Sequence, residues 1–600
     1  MSLKSLFRSL TSDPVDSKGW EVVLMYPTNS CMMEDYDYPM GLLSIATILK
    51  LDGFRMKCIT SKQLLNQPFT KKRFFYIASP KIVGITVDSD NYSNAIDLAR
   101  NVRKWLPRTK IFAGGPLINI IKEKIMEEPA FDFATVGEGE YSVRDLCRLV
   151  VRGEGSLEGI PGLIYRTEGG LGINAPNPPI KDLDELPPVD YSIIGTGNVV
   201  NYISGRGCPF SCNFCCRTMP SGYRFFSPDR VVSDLIRIGE RGCNFIVIVD
   251  DTFIANADRV KEICVKLEEA KRRRLLKFKL FCEARVDMIC RHPELVGYLK
   301  RAGFVKIQLG IESGVQRTLD LYNKRVTLEQ IEKAVEIIYE NGPLLMTGNI
   351  IMAAPFETEE TFRQSLDFAK RLMNKAPGYL EMNYPILCPY PSTKIGDHPE
   401  EYGLKVVDRE WYEGMTTHVA ACVPDGLTRE RVIGMRAQAY AETEQEYAKI
   451  ARSLPYKDII FHVDIKNMGG NGAYFRALVS ERPTVDAYFF YMNKPGFFRM
   501  KDIREEDLLD IYPIRVYIYP LRTPDFKHFR LSGNGKEDYV MTDPAEEELY
   551  ALSYGKLCVG SIAERLRKHF PGKSAMDVVR DFMLPVFKRW EDDYQVVFNL

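Results

Sequence analysis

The residues most suited to chemistry are three cysteines in one short run of the chain. Cys208, Cys212 and Cys215 follow a Cys-x3-Cys-x2-Cys spacing. Three thiolates can bind three irons of a [4Fe-4S] cluster, for which four thiolates are the usual complement, so one iron would stay open to an outside ligand. A zinc site or three free thiols is the alternative, although structural zinc sites normally have a fourth side-chain ligand. The spacing therefore predicts a cluster with one open coordination site.

The apolar run Val199 to Ile203 predicts a buried strand that leads into the cysteine loop. A strand that leads into a cluster-binding loop resembles the radical S-adenosylmethionine (SAM) superfamily. The resemblance implies that the amine and carboxylate of SAM bind the open iron and that the reduced cluster cleaves SAM to a 5′-deoxyadenosyl radical. It also implies an electron donor such as flavodoxin or ferredoxin, and it assigns Phe214 to packing on the adenine ring. Cys216 follows a ligand directly and is expected to be a packing residue.

From residue 198 to about 391 the chain repeats strand, loop and helix six times, which predicts a partial (β/α)6 barrel. Active-site residues of such barrels lie at the carboxyl ends of the strands. The resemblance assigns two carboxylates there to the SAM amine, an arginine to its carboxylate, a Glu-Ser pair to the ribose and a later strand to adenine. The residues at these positions are Asp250, Asp251, Arg285, Glu312, Ser313 and Pro355. For each position taken alone, an ordinary turn or helix cap is the alternative.

Before the barrel, residues 1–150 alternate strand-like runs with amphipathic stretches, which indicates an α/β domain with a doubly wound, Rossmann-like sheet. Glycines and polar residues cluster where strands should end, and in such sheets these ends line the ligand crevice. The order resembles the cobalamin-binding domain joined to many radical SAM enzymes. The resemblance implies that cobalamin contacts Thr86, Asp88, Gly114, Gly115, Gly137 and Glu138. A flavodoxin-like domain that binds nothing is the alternative.

A histidine ligand for cobalt is not expected. The Asp-x-His-x-x-Gly signature of some cobalamin enzymes does not occur, and no histidine precedes His292. Relatives in the radical SAM group generally lack it too, and a weakly ligated lower face would favour the cob(I)alamin state that accepts a methyl cation. Loop residues around Asp88 to Asn91 are candidates for the group near cobalt.

The 600 residues are too many for one core, so several domains are expected. The predicted divisions are a cobalamin-binding domain at 1–150, a linker at 151–196, the barrel at 197–400, an α+β region of unknown role at 401–530 and a winged-helix-like end at 531–600. This end combines a strand near 538–542 with three helices and resembles the recognition element of enzymes that modify ribosomal peptides. Such elements bind a leader peptide as an added strand. A helical cap on the barrel is the alternative.

Composition narrows the possible partners and location. Lys+Arg and Asp+Glu are equal at 80 each, which argues against nucleic-acid binding by bulk charge. The chain has no apolar run long enough for a membrane span or a signal peptide, so we expect no membrane partner and a cytoplasmic location. Fourteen cysteines, three of them in a cluster spacing, fit a reducing compartment.

These features predict a cobalamin-dependent radical SAM enzyme. The first hypothesis is a C-methyltransferase that methylates an unactivated carbon of a ribosomally made peptide. The second keeps both cofactors without methyl transfer, as in rearrangement, cyclisation or another oxidation of a peptide or small-molecule precursor. The third is a degenerate enzyme that recruits a peptide to a partner, and the intact cysteines argue against it.

Overall fold

A computed structural model of the chain describes residues 19–27, 39–60, 79–89, 91–195, 197–216, 222–276, 278–342, 344–407, 420–467, 472–481, 488, 491–492, 496–516, 521–522, 528–531 and 539–599. The chain forms two compact units, Met1–Tyr440 and Ala441–Leu600. None of the described helices combines the length and the apolar character needed to cross a membrane.

The first unit begins with a seven-stranded sheet whose strands lie in the order β2-β1-β3-β4-β5-β6-β7. The strands are β1 (Val22–Tyr26), β2 (Met56–Thr60), β3 (Ile82–Thr86), β4 (Lys110–Gly114), β5 (Phe133–Thr135), β6 (Leu163–Thr167) and β7 (Gly170–Ile173). The first five pair in parallel, and the last two pair antiparallel. The order 2-1-3-4-5 is that of a flavodoxin-like doubly wound sheet, with its topological switch point between β1 and β3.

Helices cover both faces of this sheet, as a buried parallel sheet requires. They are α1 (Met40–Leu51), α2 (Tyr92–Trp105), α3 (Ile118–Ile121) and α4 (Gly139–Arg152). Leu49 of α1 and Leu146 of α4 belong to one apolar cluster, while Ala99 of α2 belongs to a second cluster. The strand residues between them are almost completely buried, so the α/β fold predicted for this region is confirmed.

Residues 151–196, whose prolines predict a crossover linker, contain β6 and β7 and extend the sheet beyond β5. Periodicity missed these strands because they are short and lie between turn residues. After β7 the chain returns to the domain of the seven-stranded sheet, which we call the cobalamin-type domain after the resemblance predicted for residues 1–150. There the backbone N–H of Ile180 donates to Glu138 Oε2 at 2.6 Å. The hydroxyl of Tyr191 then donates to the carbonyl of Asn201 at 2.8 Å and ties this segment to the first barrel strand.

The second sheet of this unit has six parallel strands in the order β15-β14-β13-β12-β11-β8, which confirms the predicted partial barrel. Its strands are β8 (Val199–Tyr202), β11 (Phe245–Ile248), β12 (Lys279–Ala284), β13 (Phe304–Glu312), β14 (Leu345–Ile350) and β15 (Leu380–Asn383). A two-stranded ribbon, β9 (Gly205–Arg206) with β10 (Arg224–Phe225), follows β8. A second ribbon pairs β16 (Leu404–Val406) with β17 (Cys422–Pro424).

The barrel helices are α5 (Pro228–Glu240), α6 (Ala257–Arg272), α7 (Val286–Arg291), α8 (Glu294–Ala302), α9 (Gln316–Leu321), α10 (Leu328–Asn341), α11 (Glu359–Lys375) and α12 (Lys394–Asp397). Local capping fixes where several of them begin. Thr327 and Gln330 form a capping box at the start of α10, and Thr358 does the same for α11 with Thr361. The long helix α13 (Arg429–Ser453) contains the boundary between the two units.

The second unit places short antiparallel strands around a helical core. Its helices are α14 (Tyr456–Asn467), α15 (Ala473–Glu481), α16 (Pro544–Leu552), α17 (Val559–Leu566), α18 (Ala575–Val578) and α19 (Leu584–Asp592), with a π-helical turn between the last two. Its strands are β18 (Phe497–Phe498), β19 (Tyr512–Arg515), β20 (Leu521–Arg522), β21 (Phe529–Leu531), β22 (Tyr539–Val540) and β23 (Val596–Asn599). They form the sheets β18-β23-β19 and β20-β21-β22. Asp538 of the predicted strand lies outside the described residues.

Candidate cofactor sites

The cysteine loop leaves the barrel through a narrow neck made by the ribbon β9/β10. Gly207, at the neck, has φ +80°, and a Cβ there would lie 2.1 Å from the carbonyl oxygen of Gly222. A side chain at this position would therefore force the two sides of the neck apart. The close approach brings the segments before and after the cysteines together at the neck.

Asp250, predicted to bind the SAM amine, holds this neck from the barrel side. Its Oδ1 accepts hydrogen bonds from the backbone N–H groups of Ser204 at 2.6 Å and Gly205 at 3.1 Å, and its Oδ2 accepts from the Ser204 hydroxyl. Arg259 donates to the Ser204 carbonyl at 2.7 Å. Burial raises the pKa of Asp250 to about 6. Asp250 therefore orders the loop, and its predicted contact with the SAM amine stays a prediction.

The far side of the loop is held by the turn that follows α9. The N–H of Asn213 donates to the carbonyl of Tyr322 at 2.9 Å, and Asn323 Nδ2 donates to the carbonyl of Ser211 at 2.7 Å. The ring of Phe214 meets that of Tyr322 edge-on, with centroids 4.8 Å apart. Phe214 therefore has a protein partner, and its predicted contact with adenine stays a prediction.

The three cysteines suit a cluster better than a single metal ion. Cys208 and Cys212 are half-buried and Cys215 is exposed. Within the described part of the chain, no three His, Cys, Asp or Glu side chains converge as ligands of one ion would. Thiolates that bind three different irons need not converge on one point. Burial raises the pKa of Cys208, so binding of iron must displace a firmly held proton.

Arg285 lies beside the cysteine loop at the end of β12. Its Nη1 donates to Cys212 Sγ at 3.6 Å, its Nη2 to the carbonyl of Lys324 at 2.7 Å and its Nε to Asp287 Oδ1 at 2.9 Å. Its guanidinium stacks over Phe210, 3.8 Å from the ring centroid. The structure thus brings the arginine predicted for the SAM carboxylate into contact with a predicted cluster ligand.

A group of carboxylates lies at the same end of the barrel. Burial, with the negative charges of Asp251 and Glu312, raises the pKa of Glu283 to about 7. Glu312 has φ +66°, and its Oε1 accepts from Lys324 Nζ at 2.6 Å in a buried ion pair. Sequence reasoning missed Glu283 and Lys324. Glu283 lies near the end of β12, a position at which a site residue could have been predicted. Sequence spacing, in contrast, does not indicate that Lys324 pairs with Glu312.

Two further predicted SAM contacts, Ser313 and Pro355, are buried after strands of the barrel. Ser313 directly follows Glu312 and is buried, and its hydroxyl accepts from the N–H of Val315 at 3.1 Å. Pro355 is buried in the turn after β14, between Ala353 and Phe356, which both have positive φ. Their roles toward SAM remain predictions.

A cavity of about 420 Å³ opens at the switch point of the seven-stranded sheet. The predicted cobalamin contacts that line it are Thr86, Asp88, Gly114, Gly115, Gly137 and Glu138. Tyr26 also lines it, and its hydroxyl donates to Asp88 Oδ2 at 2.8 Å. Barrel residues complete the wall, among them Arg206 and Asp251. The cavity therefore extends from the cobalamin-type domain to the barrel.

The backbone around this cavity fits a large ligand. Gly115 has φ +115°, and a Cβ there would lie 2.7 Å from the carbonyl of Val87. Gly41, at the start of α1, lines the cavity, and a Cβ there would meet no atom within 4 Å. No histidine is among the described residues of the cavity wall. Asp90, one candidate for the group near cobalt, lies outside the described residues.

Glu138, predicted to contact cobalamin, is engaged by two arginines of the barrel. Its Oε1 accepts from Arg206 Nη1 at 2.7 Å and from Arg224 Nη2 at 3.0 Å. Burial acts to raise the pKa of Glu138, but the hydrogen bonds from Arg224 and Arg206 hold it below its usual value. Sequence reasoning missed both arginines, because their partner comes from another domain.

Comparison with known proteins identifies both halves of the first unit. The radical SAM superfamily model matches residues 202–369, and the B12 binding domain model matches residues 34–147. The chain is 28% identical over 333 residues to an uncharacterized methyltransferase of Pyrococcus horikoshii, which covers 53% of this chain and 69% of that protein. It is 24% identical over 440 residues to an anaerobic magnesium-protoporphyrin IX monomethyl ester cyclase of Cereibacter sphaeroides, with 70% of this chain and 67% of that protein covered.

Among solved structures, the chain is similar to a radical SAM methyltransferase, TsrM, from Kitasatospora setae with cobalamin and a [4Fe-4S] cluster bound. The TM-score is 0.57 at 17% identity, and the match covers 70% of this chain and 89% of that chain. The chain thus contains a radical SAM domain and a B12-binding domain, and the predicted enzyme with a [4Fe-4S] cluster, SAM and cobalamin is confirmed. Enzymes of this class typically need an electron donor.

Proposed function

We propose that the protein is a cobalamin-dependent radical SAM C-methyltransferase that acts on an unactivated carbon. The observation that carries the proposal is the shared cavity, because its wall includes Gly114 and Gly137 from the cobalamin-type domain and Asp251 from the barrel. Asp251 also acts electrostatically on the cysteine loop. Burial, followed by the charge of Asp251, raises the pKa of Cys216 to about 11. A substrate at the barrel side of this cavity, near Asp251, would lie between cobalamin and SAM.

The residues of the chain would bind and orient the reactants. When bound, SAM at the cluster supplies a 5′-deoxyadenosyl radical, and cobalamin supplies a methyl group. Asp251 offers a carboxylate to the SAM ammonium, and Arg285 offers a forked donor to its carboxylate. Glu312 offers an acceptor to the ribose hydroxyls. The apolar residues Leu24, Ile45 and Phe112 line the inner part of the cavity and exclude water from it.

Product analysis tests the proposal. The reconstituted enzyme should form 5′-deoxyadenosine, S-adenosylhomocysteine and a product heavier by one methyl group. The Cys212→Ala variant is the matched control and should form none of the three. A methylated product without the other two would contradict the proposal.

Oxidative chemistry without methyl transfer is the second candidate. The relative named as a cyclase supports it, since that match spans 70% of this chain. In this case the enzyme should form 5′-deoxyadenosine without S-adenosylhomocysteine. The same assay therefore separates the two candidates.

A peptide is the proposed substrate, and the end of the second unit supports this choice. β22 precedes three helical segments, which is the order of one strand and three helices expected for a peptide-recognition element, and β20 and β21 extend its sheet. β22 lies at the edge of its sheet, and its residues Tyr539 and Val540 are 40% and 37% exposed. An exposed edge strand can pair with an added peptide strand.

Backbone pairing indicates which groups of β22 face outward. The N–H of Met541 donates to the carbonyl of Phe529 at 2.9 Å, and Val540 lies opposite Arg530. Hydrogen-bonded and non-hydrogen-bonded pairs alternate in an antiparallel ladder, so the N–H and C=O of Val540 face the open edge. Arg589 of α19 stacks over Tyr539, 5.1 Å from its ring centroid, and forms the adjacent side wall.

A proline substitution tests this edge. Val540→Pro removes the outward N–H, whereas Val540→Ala keeps it and shortens the side chain. The probe is a pool of fluorescently labelled short peptides of random sequence. Binding should be lost in Val540→Pro and weakened only slightly in Val540→Ala. Equal binding by both variants, or none by the wild type, would contradict a peptide docked at β22.

A further inference from the structure

Two arginines lie directly opposite each other at the neck of the cysteine loop. Arg206 of β9 and Arg224 of β10 are register partners in the ribbon. Their side chains are only 12% and 13% exposed. Like charges directly opposite each other in a strand pair are destabilising, and buried charges need partners. The ribbon therefore requires negative groups from outside itself.

The cobalamin-type domain supplies these groups from the start of α4. Arg206 Nη1 lies 2.7 Å from Glu138 Oε1, and its Nη2 lies 2.5 Å from Glu140 Oε1. Arg224 Nη2 lies 3.0 Å from Glu138 Oε1. The glutamate side chains are 3% and 4% exposed, and Ser44 donates to Glu140 at 2.9 Å. The two arginines and the two glutamates thus neutralise one another in an almost completely buried interface between the ribbon and the cobalamin-type domain.

These four residues link the two cofactor sites over a short path. Arg206 precedes the first cluster cysteine, Cys208, by two residues. Glu138 directly follows Gly137, and both line the cavity at the sheet switch point. The barrel holds the opposite side of the same neck through Asp250. The neck is therefore fixed from both sides, by the barrel and by the cobalamin-type domain.

We propose that Arg206, Arg224, Glu138 and Glu140 form a charge clamp that sets the position of the cluster relative to the cobalamin. Arg206 is a positioning residue in this clamp, since it acts through the cysteine loop. A reaction that involves the substrate, SAM at the cluster and cobalamin requires these three reactants to be positioned to within about 1 Å of one another's productive geometry. The inference deepens the proposed function but requires only that both cofactors bind, and it does not depend on methyl transfer.

Pulsed electron paramagnetic resonance (EPR) can measure the clamp directly. In anaerobic full-length protein, the reduced cluster and cob(II)alamin are both paramagnetic, so their dipolar coupling reports the distance between them. The wild type should give a narrow distance distribution. Arg206→Gln and Glu140→Gln should each retain iron and cobalt yet give a distribution about twofold wider or shifted by about 1 Å. No substrate and no turnover are needed, so failure of the proposed methyl transfer leaves this test unaffected.

Matched variants separate positioning from general stability. Arg148→Gln removes an arginine–carboxylate pair with Asp52 inside the cobalamin-type domain and should leave the distribution unchanged. Arg206→Lys, which can reach one glutamate at a time, should give an intermediate width. If Arg206→Gln loses its cluster, Glu140→Gln decides, because Glu140 lies far from the cysteines in sequence. The clamp would be overturned if both Arg206→Gln and Glu140→Gln gave the wild-type distance distribution. If Arg206→Gln loses its cluster, a wild-type distribution in Glu140→Gln alone would overturn it.

Discussion

The Nη1 of Arg285 lies 3.6 Å from the Sγ of Cys212. This contact joins a residue expected to bind SAM with a residue expected to bind iron. The guanidinium is also held by Phe210 and by the carbonyl of Lys324, so its position does not depend on a ligand. Hydrogen bonds to cluster sulfurs raise the reduction potential, because they stabilise the more negative reduced state.

Removal of this hydrogen bond should lower the reduction potential of the cluster. We expect the midpoint potential of Arg285→Met to fall by an amount on the order of tens of millivolts, measured by EPR-monitored redox titration without SAM. Arg291→Gln is the control, since Arg291 is more than half exposed and pairs with Asp287. An unchanged potential together with weaker SAM binding would assign Arg285 to the SAM carboxylate alone.

The cysteine spacing makes a prediction about iron content. Alanine at Cys208, Cys212 or Cys215 should reduce the iron bound after anaerobic reconstitution to near zero, because two thiolates hold a cluster poorly. Cys216→Ala should bind as much iron as the wild type. Iron and sulfide quantitation with the visible spectrum gives the answer, and loss of iron in Cys216→Ala would contradict the assignment.

Glu357 should make stability depend on pH. Burial raises its pKa from the ordinary 4.5 to about 8, although the N–H of Ala353 donates to Oε2 at 2.8 Å. The folded protein thus keeps a proton that the unfolded chain releases, so the contribution of Glu357 to stability is greatest below pH 4.5 and is lost as the pH rises to about 8. Each pKa unit corresponds to about 1.4 kcal/mol.

The Glu357→Gln variant should remove this dependence. It should match the wild type near pH 5 and have the higher melting temperature near pH 9, measured by calorimetry on protein without cofactors. Glu400→Gln, at an exposed carboxylate, serves as the control and should follow the wild type. Parallel curves for Glu357→Gln and the wild type would show that Glu357 is charged in the folded state.

The conformation of Gly115 should be required for cobalamin binding. Gly115→Ala places a Cβ 2.7 Å from the Val87 carbonyl at φ +115°, so the loop after β4 must move. We expect a loss of at least about 2 kcal/mol in unfolding free energy or a tenfold weaker cobalamin affinity. A Cβ at Gly169 would meet no atom within 4 Å, so Gly169→Ala should change neither the unfolding free energy nor the cobalamin affinity. Denaturant unfolding and cobalamin titration measure the two quantities.

Much of the fold could be predicted because apolar strand runs and amphipathic helix periods depend on residues that are close in sequence. The sequence pattern predicts a helix at Tyr92 to Trp105 and strands at Ile82 to Val87 and Lys110 to Ala113. The helix has these bounds, and β3 and β4 each differ from the predicted strand by one residue at the end. The six barrel strands were predicted from the repeat of apolar run, loop and helix. The strands β6 and β7 were missed, since Pro161 and Pro176 flank them and β7 contains two glycines and no buried residue, so the pattern indicates a linker.

The sequence by itself determined the cofactors, because thiolate spacing and glycine placement at strand ends are properties of a few neighbouring residues. Only the tertiary structure decided what the charged residues do. Asp250 and Glu138 are predicted to bind ligands because each follows a strand, and their contacts with Ser204 and Arg206 were not predicted. A buried charge takes the partner that folding brings to it, and these partners lie 46 and 68 residues away.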